Sequence, residues 1–360
     1  MSIETGAAGV GPRLAVRRYR IWFLAAISTL VGMFSADHAV ADLSAAALVT
    51  ECDRLAAAPS DPNREGPAVA FDRIDTVAAI ESCGQALARN PGNSRVIFNL
   101  ARANDRAGRL DEAARLYKLA ADQGYTAARH SLGVFYLEGL GGLPQDGRAA
   151  ARLFKLAADQ GFALSQYNLA ELYASGGGGL VKDEREAARL YKLAADQGDP
   201  AAQTDLGAFY DVGRGGLPRD EREAARLFGL AAGQGDSVAQ FDLGVFYANG
   251  RRGLAADERE AARLYTLAAD QGSAEAQFNL ANFYLTGRGG LPKDEREALR
   301  LYRLAADQGD PDAQANLGVF YQRGLGGLAK DEREAARLFQ LAANHGNETA
   351  RRNLARVGNR

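Results

Sequence analysis

The side chains that most often perform catalysis or bind metals are few in this sequence and far apart. The three histidines, His38, His130 and His345, are scattered and belong to no H-E-x-x-H pair, so they do not form a zinc motif. The serine-enzyme motifs S-x-x-K and G-x-S-x-G do not occur either. We therefore expect no catalytic residue, no metal site and no cofactor, and we interpret the protein as a non-enzyme.

Two recurring patterns resemble ligand-binding motifs but are better explained as structural elements. A loop of the form R-G-G-L-P, as at 214–218, follows a predicted helix, whereas a phosphate-binding loop follows a strand and opens a helix. The D-E-R-E cluster, as at 183–186, lacks the alternating oxygen ligands of a calcium loop. We interpret the loop as a turn and the cluster as a helix cap.

The stretch at 183–198, DEREAARLYKLAADQG, sets the organisation of the whole chain. Near-copies stand at 220–235, 257–272, 294–309 and 331–346, and looser copies at 111–124 and 146–161. The glycines that close these copies, from Gly124 to Gly346, are 37 residues apart. A fixed period of this size predicts stacked repeats, each of which packs on its neighbours.

Each full repeat should contain two helices, A and B, joined by the glycine-rich loop. In the unit 199–235, Asp199 is placed to cap helix A and Gly213 to end it. Asp220 is placed to cap helix B, with Glu223 completing a capping box. The six full units predicted in this way are 125–161, 162–198, 199–235, 236–272, 273–309 and 310–346.

One position inside helix A is always small, although glycine there costs up to about 1 kcal/mol relative to alanine. A residue so unfavourable needs a packing reason, and we expect two helix backbones to approach closely at this position. The six equivalents are Gly133, Ala170, Gly207, Gly244, Ala281 and Gly318.

Residues 1–41 have the features of an export signal. A basic cluster at 17–20 precedes a mostly apolar run at 21–34 and an A-x-A pattern at 39–41. The apolar run is shorter than the roughly 20 residues that a membrane-spanning helix needs. We expect cleavage, export to the periplasm and no membrane span in the mature chain. Membrane anchoring by an uncleaved signal, or secretion, is the alternative.

The two ends of the array should be closed by caps. Residues 42–90 should form an N-terminal helical cap in which Cys52 and Cys83 make a disulfide, since an even cysteine count is typical of exported proteins. Two buried free thiols are the alternative. Residues 91–124 have the short inter-helix turn of a tetratricopeptide-like repeat, and 347–360 should form a C-terminal capping helix.

The repeated motif, A-x-x-x-L-G-x-x-Y-x-x-G followed by a glycine-rich loop and A-A-R-L-[YF]-x-L-A-A-x-Q-G, resembles the Sel1-like repeat, a relative of the tetratricopeptide repeat. The resemblance covers 125–346 and implies an all-α, right-handed α-solenoid of antiparallel helix pairs. It also implies an adaptor in multiprotein complexes. Bacterial members are often exported, and some regulate envelope signalling or exopolysaccharide production.

Positions of helix A that vary between units are the candidates for partner contact. They share one face of the helix, and in tetratricopeptide-like solenoids helix A lines the concave side, where a peptide or helix can bind. Alternatively, Tyr167, Phe241 and Phe278 only pack between neighbouring A helices. The predicted groove residues are Val134, Leu137, Tyr167, Glu171, Thr204, Asp211, Phe241, Val245, Phe278, Asn282, Leu285, Val319 and Gln322.

A second column of polar residues in helix A is interpreted as a hydrogen-bonding ladder between neighbouring units, and binding to the backbone of a partner is the alternative. Its members are Asn168, Asp205, Asp242, Asn279 and Asn316.

These observations favour a non-enzymatic scaffold or adaptor of the cell envelope that binds another protein. A regulator of a membrane sensor or of an exopolysaccharide pathway is the alternative, and a cell-wall enzyme is less well supported. The net charge of −2 and the lack of a basic stripe argue against a nucleic-acid partner.

Overall fold

The computed structural model describes residues 45–250 and 256–357, which form helices and connecting loops without any strand. The predicted export signal, 1–41, lies outside this part of the chain. The α-helices are α1 (Ala45–Ala56), α2 (Thr76–Arg89), α3 (Ser94–Arg106), α4 (Leu110–Asp122), α5 (Thr126–Glu138), α6 (Gly147–Ala158), α7 (Ala163–Ser175), α8 (Glu184–Asp196), α9 (Pro200–Val212), α10 (Glu221–Gly233), α11 (Ser237–Asn249), α12 (Glu258–Asp270), α13 (Ala274–Thr286), α14 (Glu295–Asp307), α15 (Pro311–Arg323), α16 (Glu332–Asn344) and α17 (Glu348–Val357).

The chain divides into two compact units between Ala194 and Ala195, inside α8. In the first unit, consecutive helices from α1 to α7 pack against each other. In the second, consecutive helices from α9 to α17 do the same. Each full repeat is a pair of helices, A and then B, so the predicted all-α architecture of helix pairs is confirmed.

The helix boundaries follow from capping residues at fixed positions. The Asp199 side chain accepts the amide of Ala202 at the start of α9, and Gly213 ends that helix with φ +74°, where a side chain would be strained. The Asp220 side chain accepts two amides at the start of α10.

The predicted capping box is wrong, however. The Asp220 amide donates to the Tyr210 carbonyl at 2.8 Å, so it does not need the Glu223 carboxylate. Glu223 instead pairs with Arg226 at 2.7 Å.

The small position of helix A accommodates an aromatic ring rather than a second backbone. A β-carbon on Gly207 would lie 2.9 Å from Cε1 of Phe228 in helix B of the same repeat, and one on Gly318 would lie 2.7 Å from Cε1 of Phe339. The expected contact between two helix backbones is therefore wrong as the general reason for the small residue, although at Gly207 the Ala224 carbonyl oxygen also lies 3.3 Å from this β-carbon. The ring of helix B lies against the A helix, and this occurs also at Gly133 and Gly244.

Three positions of each repeat vary together around this ring. Where helix A carries glycine followed by an apolar residue, helix B usually carries phenylalanine. Where it carries alanine followed by a polar residue, helix B carries tyrosine, and the hydroxyl is hydrogen-bonded to that polar residue: Tyr191 to Glu171, and Tyr302 to Asn282 at 2.6 Å. The exception is the repeat with Gly244, Val245 and Tyr265, in which the buried Tyr265 hydroxyl has no hydrogen-bond partner.

A glutamine ladder links the repeats of the second unit. The buried Gln203 donates to the Ala195 carbonyl of the preceding B helix at 3.3 Å and accepts from Gln234, at the end of its own B helix, at 2.9 Å. The pairs Gln240–Gln271 and Gln277–Gln308 repeat this arrangement. In the last full repeat His345 stands in place of the second glutamine, and Oε1 of Gln314 has no partner.

The predicted disulfide is present and joins α1 to α2. The Cα atoms of Cys52 and Cys83 are 4.7 Å apart, and both residues are fully buried. The bond closes a segment with a sequence separation of 31 residues, which by chain entropy stabilises the fold by on the order of 3 kcal/mol.

Candidate protein-binding surfaces

Most of the predicted groove residues are buried between helices and cannot be reached by a partner. The Tyr167 ring centroid lies 6.0 Å from that of Tyr191, and the Phe278 centroid lies 6.0 Å from that of Tyr302. The packing alternative therefore describes these two side chains. The members of the set with 9% exposure or less are Tyr167, Thr204, Asp211, Val245, Phe278, Asn282, Leu285 and Val319.

The buried polar members of this set are engaged inside the protein. The Thr204 hydroxyl lies 3.2 Å from Oδ1 of Asp236 in the next repeat. Asn282 accepts from Tyr302, and the Asp211 carbonyl accepts from Nε of Arg219 at 3.0 Å. These groups hold the repeats and loops together, so their variation along the chain reflects packing partners.

Five of the predicted groove residues keep part of their side chain in solvent: Val134, Leu137, Glu171, Phe241 and Gln322. The first three belong to the first unit and the last two to the second. The Phe241 centroid lies 6.0 Å from that of Tyr265, so the ring packs on its own repeat and is also accessible. For these five residues, partner contact stays a prediction.

The polar column is partly a ladder. Asn316 of one repeat hydrogen-bonds Tyr302 of the preceding repeat, which agrees with the interpretation as a link between units. Ser131, at the equivalent position of an earlier repeat, contacts Tyr117 in the same way. Asn279 does not follow the pattern, because its Nδ2 is buried without a partner.

Sequence reasoning missed a row of exposed leucines on helix B. One leucine per repeat, spaced by 37 residues, is between 38% and 49% exposed, and the row comprises Leu119, Leu156 and Leu193 in the first unit and Leu230, Leu267 and Leu304 in the second. The preceding residue changes freely, as Lys118, Gly229 and Thr266 show, whereas the leucine does not. The contrast between this variable position and the unchanging leucine next to it was the sequence signal for the row.

The exposed arginine four residues before Leu230 forms an ion pair with a glutamate three residues earlier in the helix. Arg226 contacts Glu223 at 2.7 Å with 57% of its side chain exposed, and the same pair recurs at Arg189, Arg263, Arg300 and Arg337. Exposed pairs of this kind contribute about 0.3–0.5 kcal/mol each.

Burial shifts the pKa values of Asp105 and His130. Burial raises the pKa of Asp105 to about 6, and its carboxylate accepts the Tyr117 hydroxyl at 3.1 Å. Burial lowers the pKa of His130 to about 4, and its Nδ1 lies 3.0 Å from the Ser165 hydroxyl. Within residues 45–250 and 256–357 there is no cluster of histidine, cysteine and acidic side chains that could hold a metal ion.

A polar surface covers the N-terminal cap, where the loop at 57–69 lies beside α3. Asn99 donates to the buried Asp53 carboxylate at 2.8 Å, and Arg95 lies 3.2 Å from the same group. Burial raises the pKa of Asp53, and the Arg95 charge opposes that shift. The Arg102 guanidinium is buried and donates to the carbonyls of Ala56 and Val69. These residues do not repeat along the chain.

The repeats match a known family model closely. The Sel1 repeat model matches six consecutive segments, 126–162, 163–199, 200–236, 237–273, 274–310 and 311–347. The chain belongs to the Sel1 repeat family. A tetratricopeptide repeat model matches residues 70–137, which include the predicted tetratricopeptide-like unit. No curated protein matches the sequence.

Two solved structures are similar over most of this Sel1 repeat protein. The Sel1 repeat protein of Oxalobacter formigenes is 30% identical with a TM-score of 0.62, and the match covers 68% of this chain and 96% of that one. The protective antigen c5321 of uropathogenic Escherichia coli, which has an SLR fold, is 28% identical with a TM-score of 0.59, covering 77% of this chain and 67% of the antigen.

The repeat fold is generally a scaffold for protein–protein interaction, and its members are typically non-catalytic. In the described residues, no helix is both long and apolar enough to cross a bilayer.

Proposed function

We propose that this Sel1 repeat protein is an exported adaptor that binds a peptide or helix of another protein on the accessible part of its A helices. The observation that carries the proposal is Phe241, a large aromatic side chain that stays partly exposed in an interior repeat. Aromatic side chains are enriched at protein–protein interfaces relative to the rest of the surface.

The envelope location is part of the same proposal. The basic cluster, apolar run and A-x-A pattern before Asp42 support export, and a buried disulfide is most stable in an oxidising compartment. N-terminal sequencing of protein recovered from the periplasmic fraction should then begin at Asp42. Recovery of full-length protein from the membrane fraction alone would favour the uncleaved anchor.

Phe241 and Phe278 provide a matched pair for testing partner binding. Phe241→Ala should leave the melting temperature nearly unchanged and reduce capture of the partner from an envelope fraction. Phe278→Ala should destabilise the fold, by about 3–5 kcal/mol, because the ring is buried and a cavity remains. Leu230→Ala, on the opposite helix of a neighbouring repeat, serves as the exposed control.

If the native protein and Phe241→Ala capture the partner equally well, the partner does not bind the A-helix surface. Capture that is lost only in Leu230→Ala would instead place the partner on the leucine row of helix B. If the captured partner is a membrane sensor or a component of an exopolysaccharide pathway, the adaptor acts as a regulator. Turnover of cell-wall material by the purified protein would contradict a purely non-enzymatic role.

A further inference from the structure

The leucine row of helix B is flanked by opposite charges in the second unit. Each leucine of the row follows an arginine by four residues, and both Leu267 and Leu304 precede an aspartate by three residues. Residues at this spacing share one face of a helix, so the arginines lie on one side of the row and the aspartates on the other. We call the leucine row of the second unit, together with Arg300, Arg337, Asp270 and Asp307, the B face.

Neighbouring B helices are close enough to make this strip continuous. The hydrogen bond to Glu297 raises the pKa of Arg300, and the charge of Asp270, at the end of the preceding B helix, acts in the same direction. The same relation holds between α14 and α16. Leu267 lies one turn before Asp270, and Leu304 lies one turn after Arg300. Consecutive leucines are therefore separated by one pair of opposite charges.

The charged groups of the B face keep unused bonding capacity. Nε and Nη2 of Arg300 bind a glutamate of the same helix, whereas Nη1 makes no hydrogen bond to any described residue. The carboxylates of Asp270 and Asp307 are exposed and make no hydrogen bond or close ion pair within the part of the chain that the structure describes. In the first unit, by contrast, the equivalent Asp159 is paired with Lys155 at 3.2 Å. The second unit thus presents charges that a facing surface can still bind.

The order of these features makes the B face complementary to itself. A two-fold axis parallel to the leucine row sets leucine against leucine and places the arginines of one copy over the aspartates of the other. A two-fold axis across the row places arginines over arginines, which repel each other. The charges therefore select the arrangement in which the two rows run in the same direction.

A second copy of this chain meets the requirements of the B face directly, because it has the same repeat spacing and, after the two-fold rotation, the opposite order of charges. Leu230, Leu267 and Leu304 are each between 38% and 45% exposed, and removal of such apolar surface from water drives association. Each contact is weak alone. The spacing repeats with the array, so the contacts of three repeats act together.

We propose that the B face is a self-association surface, through which two copies of this chain pair along their leucine rows about a two-fold axis parallel to the rows. In this dimer Arg300 of each copy faces Asp270 of the other, and Arg337 faces Asp307. The inference goes beyond the adaptor function and does not depend on it, since it concerns helix B and the adaptor proposal concerns helix A.

Sedimentation equilibrium of the purified full chain measures this association. The native protein should show a reversible equilibrium between monomer and dimer that shifts with protein concentration. Leu267→Ala/Leu304→Ala should raise the dissociation constant by about tenfold or more, because apolar area is lost from both copies. Val238→Ala provides a matched control, since Val238 is 42% exposed and lies on helix A of the same unit, and it should leave the dissociation constant unchanged.

Charge variants test the orientation of the two copies. Asp270→Arg/Asp307→Arg makes both columns positive, so this variant should associate at least about tenfold more weakly than the native protein. Addition of Arg300→Asp/Arg337→Asp reverses both columns and should restore the dimer. With an axis across the row, like charges would meet in all three proteins, and their dissociation constants would be equal.

A native protein that stays monomeric at every concentration overturns the inference. So does a dimer that the leucine double variant does not weaken, or equal dissociation constants for the three proteins of the charge series. If the leucine double variant is not folded by circular dichroism, the charge variants decide alone, because they change only exposed side chains. A leucine double variant that loses the envelope partner but keeps its self-association would assign the row to that partner, and this result also overturns the inference.

Discussion

The same substitution, tyrosine to phenylalanine, should have opposite effects in two neighbouring repeats. Tyr265 and Tyr302 occupy equivalent positions in helix B, and both are buried. The Tyr302 hydroxyl donates to Oδ1 of Asn282 at 2.6 Å. In the repeat that contains Tyr265, Val245 stands in place of Asn282, and the Tyr265 hydroxyl has no hydrogen-bond partner.

The expected magnitudes follow from these two environments. A buried hydroxyl without a partner costs about 1–3 kcal/mol, so Tyr265→Phe should stabilise the fold by about 1 kcal/mol or more. Gly244 already leaves room for the ring, as its equivalent does for phenylalanine in other repeats. Tyr302→Phe should destabilise by about 1–2 kcal/mol, because it removes a short hydrogen bond and leaves Oδ1 of Asn282 unpaired.

Urea unfolding followed by far-ultraviolet circular dichroism measures both changes as shifts of the transition midpoint. A control tests the cause, since adding Asn282→Val should recover part of the stability lost in Tyr302→Phe, while the hydrogen bond between Tyr302 and Asn316 stays lost. If both phenylalanine variants shift the midpoint in the same direction, the change in stability does not depend on whether the tyrosine hydroxyl has a hydrogen-bond partner. That result refutes the reasoning.

Three further predictions concern other parts of the fold. Gly207→Ala should lower the free energy of unfolding by about 1–3 kcal/mol, because its β-carbon would meet an aromatic ring. Gly229→Ala in helix B, with open space around it, should raise the free energy of unfolding by up to about 1 kcal/mol. Thermal unfolding should show these shifts of the melting temperature in opposite directions. His345→Gln should supply the missing donor to Gln314 and raise the unfolding midpoint by an amount equivalent to about 1 kcal/mol, and no change would contradict the ladder. Burial raises the pKa of Asp105 from its ordinary 3.8 to about 6, so the folded state favours the protonated carboxyl. The stabilisation of the fold that results is complete below pH 4 and is lost as the pH rises through 6. Between pH 4 and 7 the native chain should therefore lose up to about 3 kcal/mol relative to Asp105→Asn, and parallel stability curves for the two would exclude this origin.

The periodic part of the fold could be predicted from the sequence because each helix boundary is set by a local signal. Asp199 and Gly213 act on amides and carbonyls within their own helix, so their roles did not depend on tertiary contacts. The packing partner of Gly207 depended on where helix B lies, and local spacing did not contain that information. The sequence showed that the residue must be small, but the aromatic ring that requires this was not foreseen.

The candidate surface was harder to predict because exposure is a property of the assembled array. Phe241 and Phe278 occupy equivalent sequence positions, yet one is partly exposed and the other has 3% exposure. The polar contacts of the N-terminal cap were missed because Arg95 and Arg102 act on main-chain carbonyls, which leave no trace in a sequence motif. The shape of the 57–69 loop depends on contacts distant in the chain.

The glutamine ladder has a consequence for how this protein can change in length. Each buried glutamine, such as Gln240, bonds both the preceding B helix and Gln271, which is 31 residues further along the chain. Removal or duplication of 37 residues, or of a multiple of 37, between equivalent points of these repeats rejoins such pairs, while an interval that is not a multiple of 37 separates a buried amide from its partner. Recombination between repeat copies within a gene would thus be tolerated only in whole-repeat steps, and the ladder would reject partial ones at the level of folding.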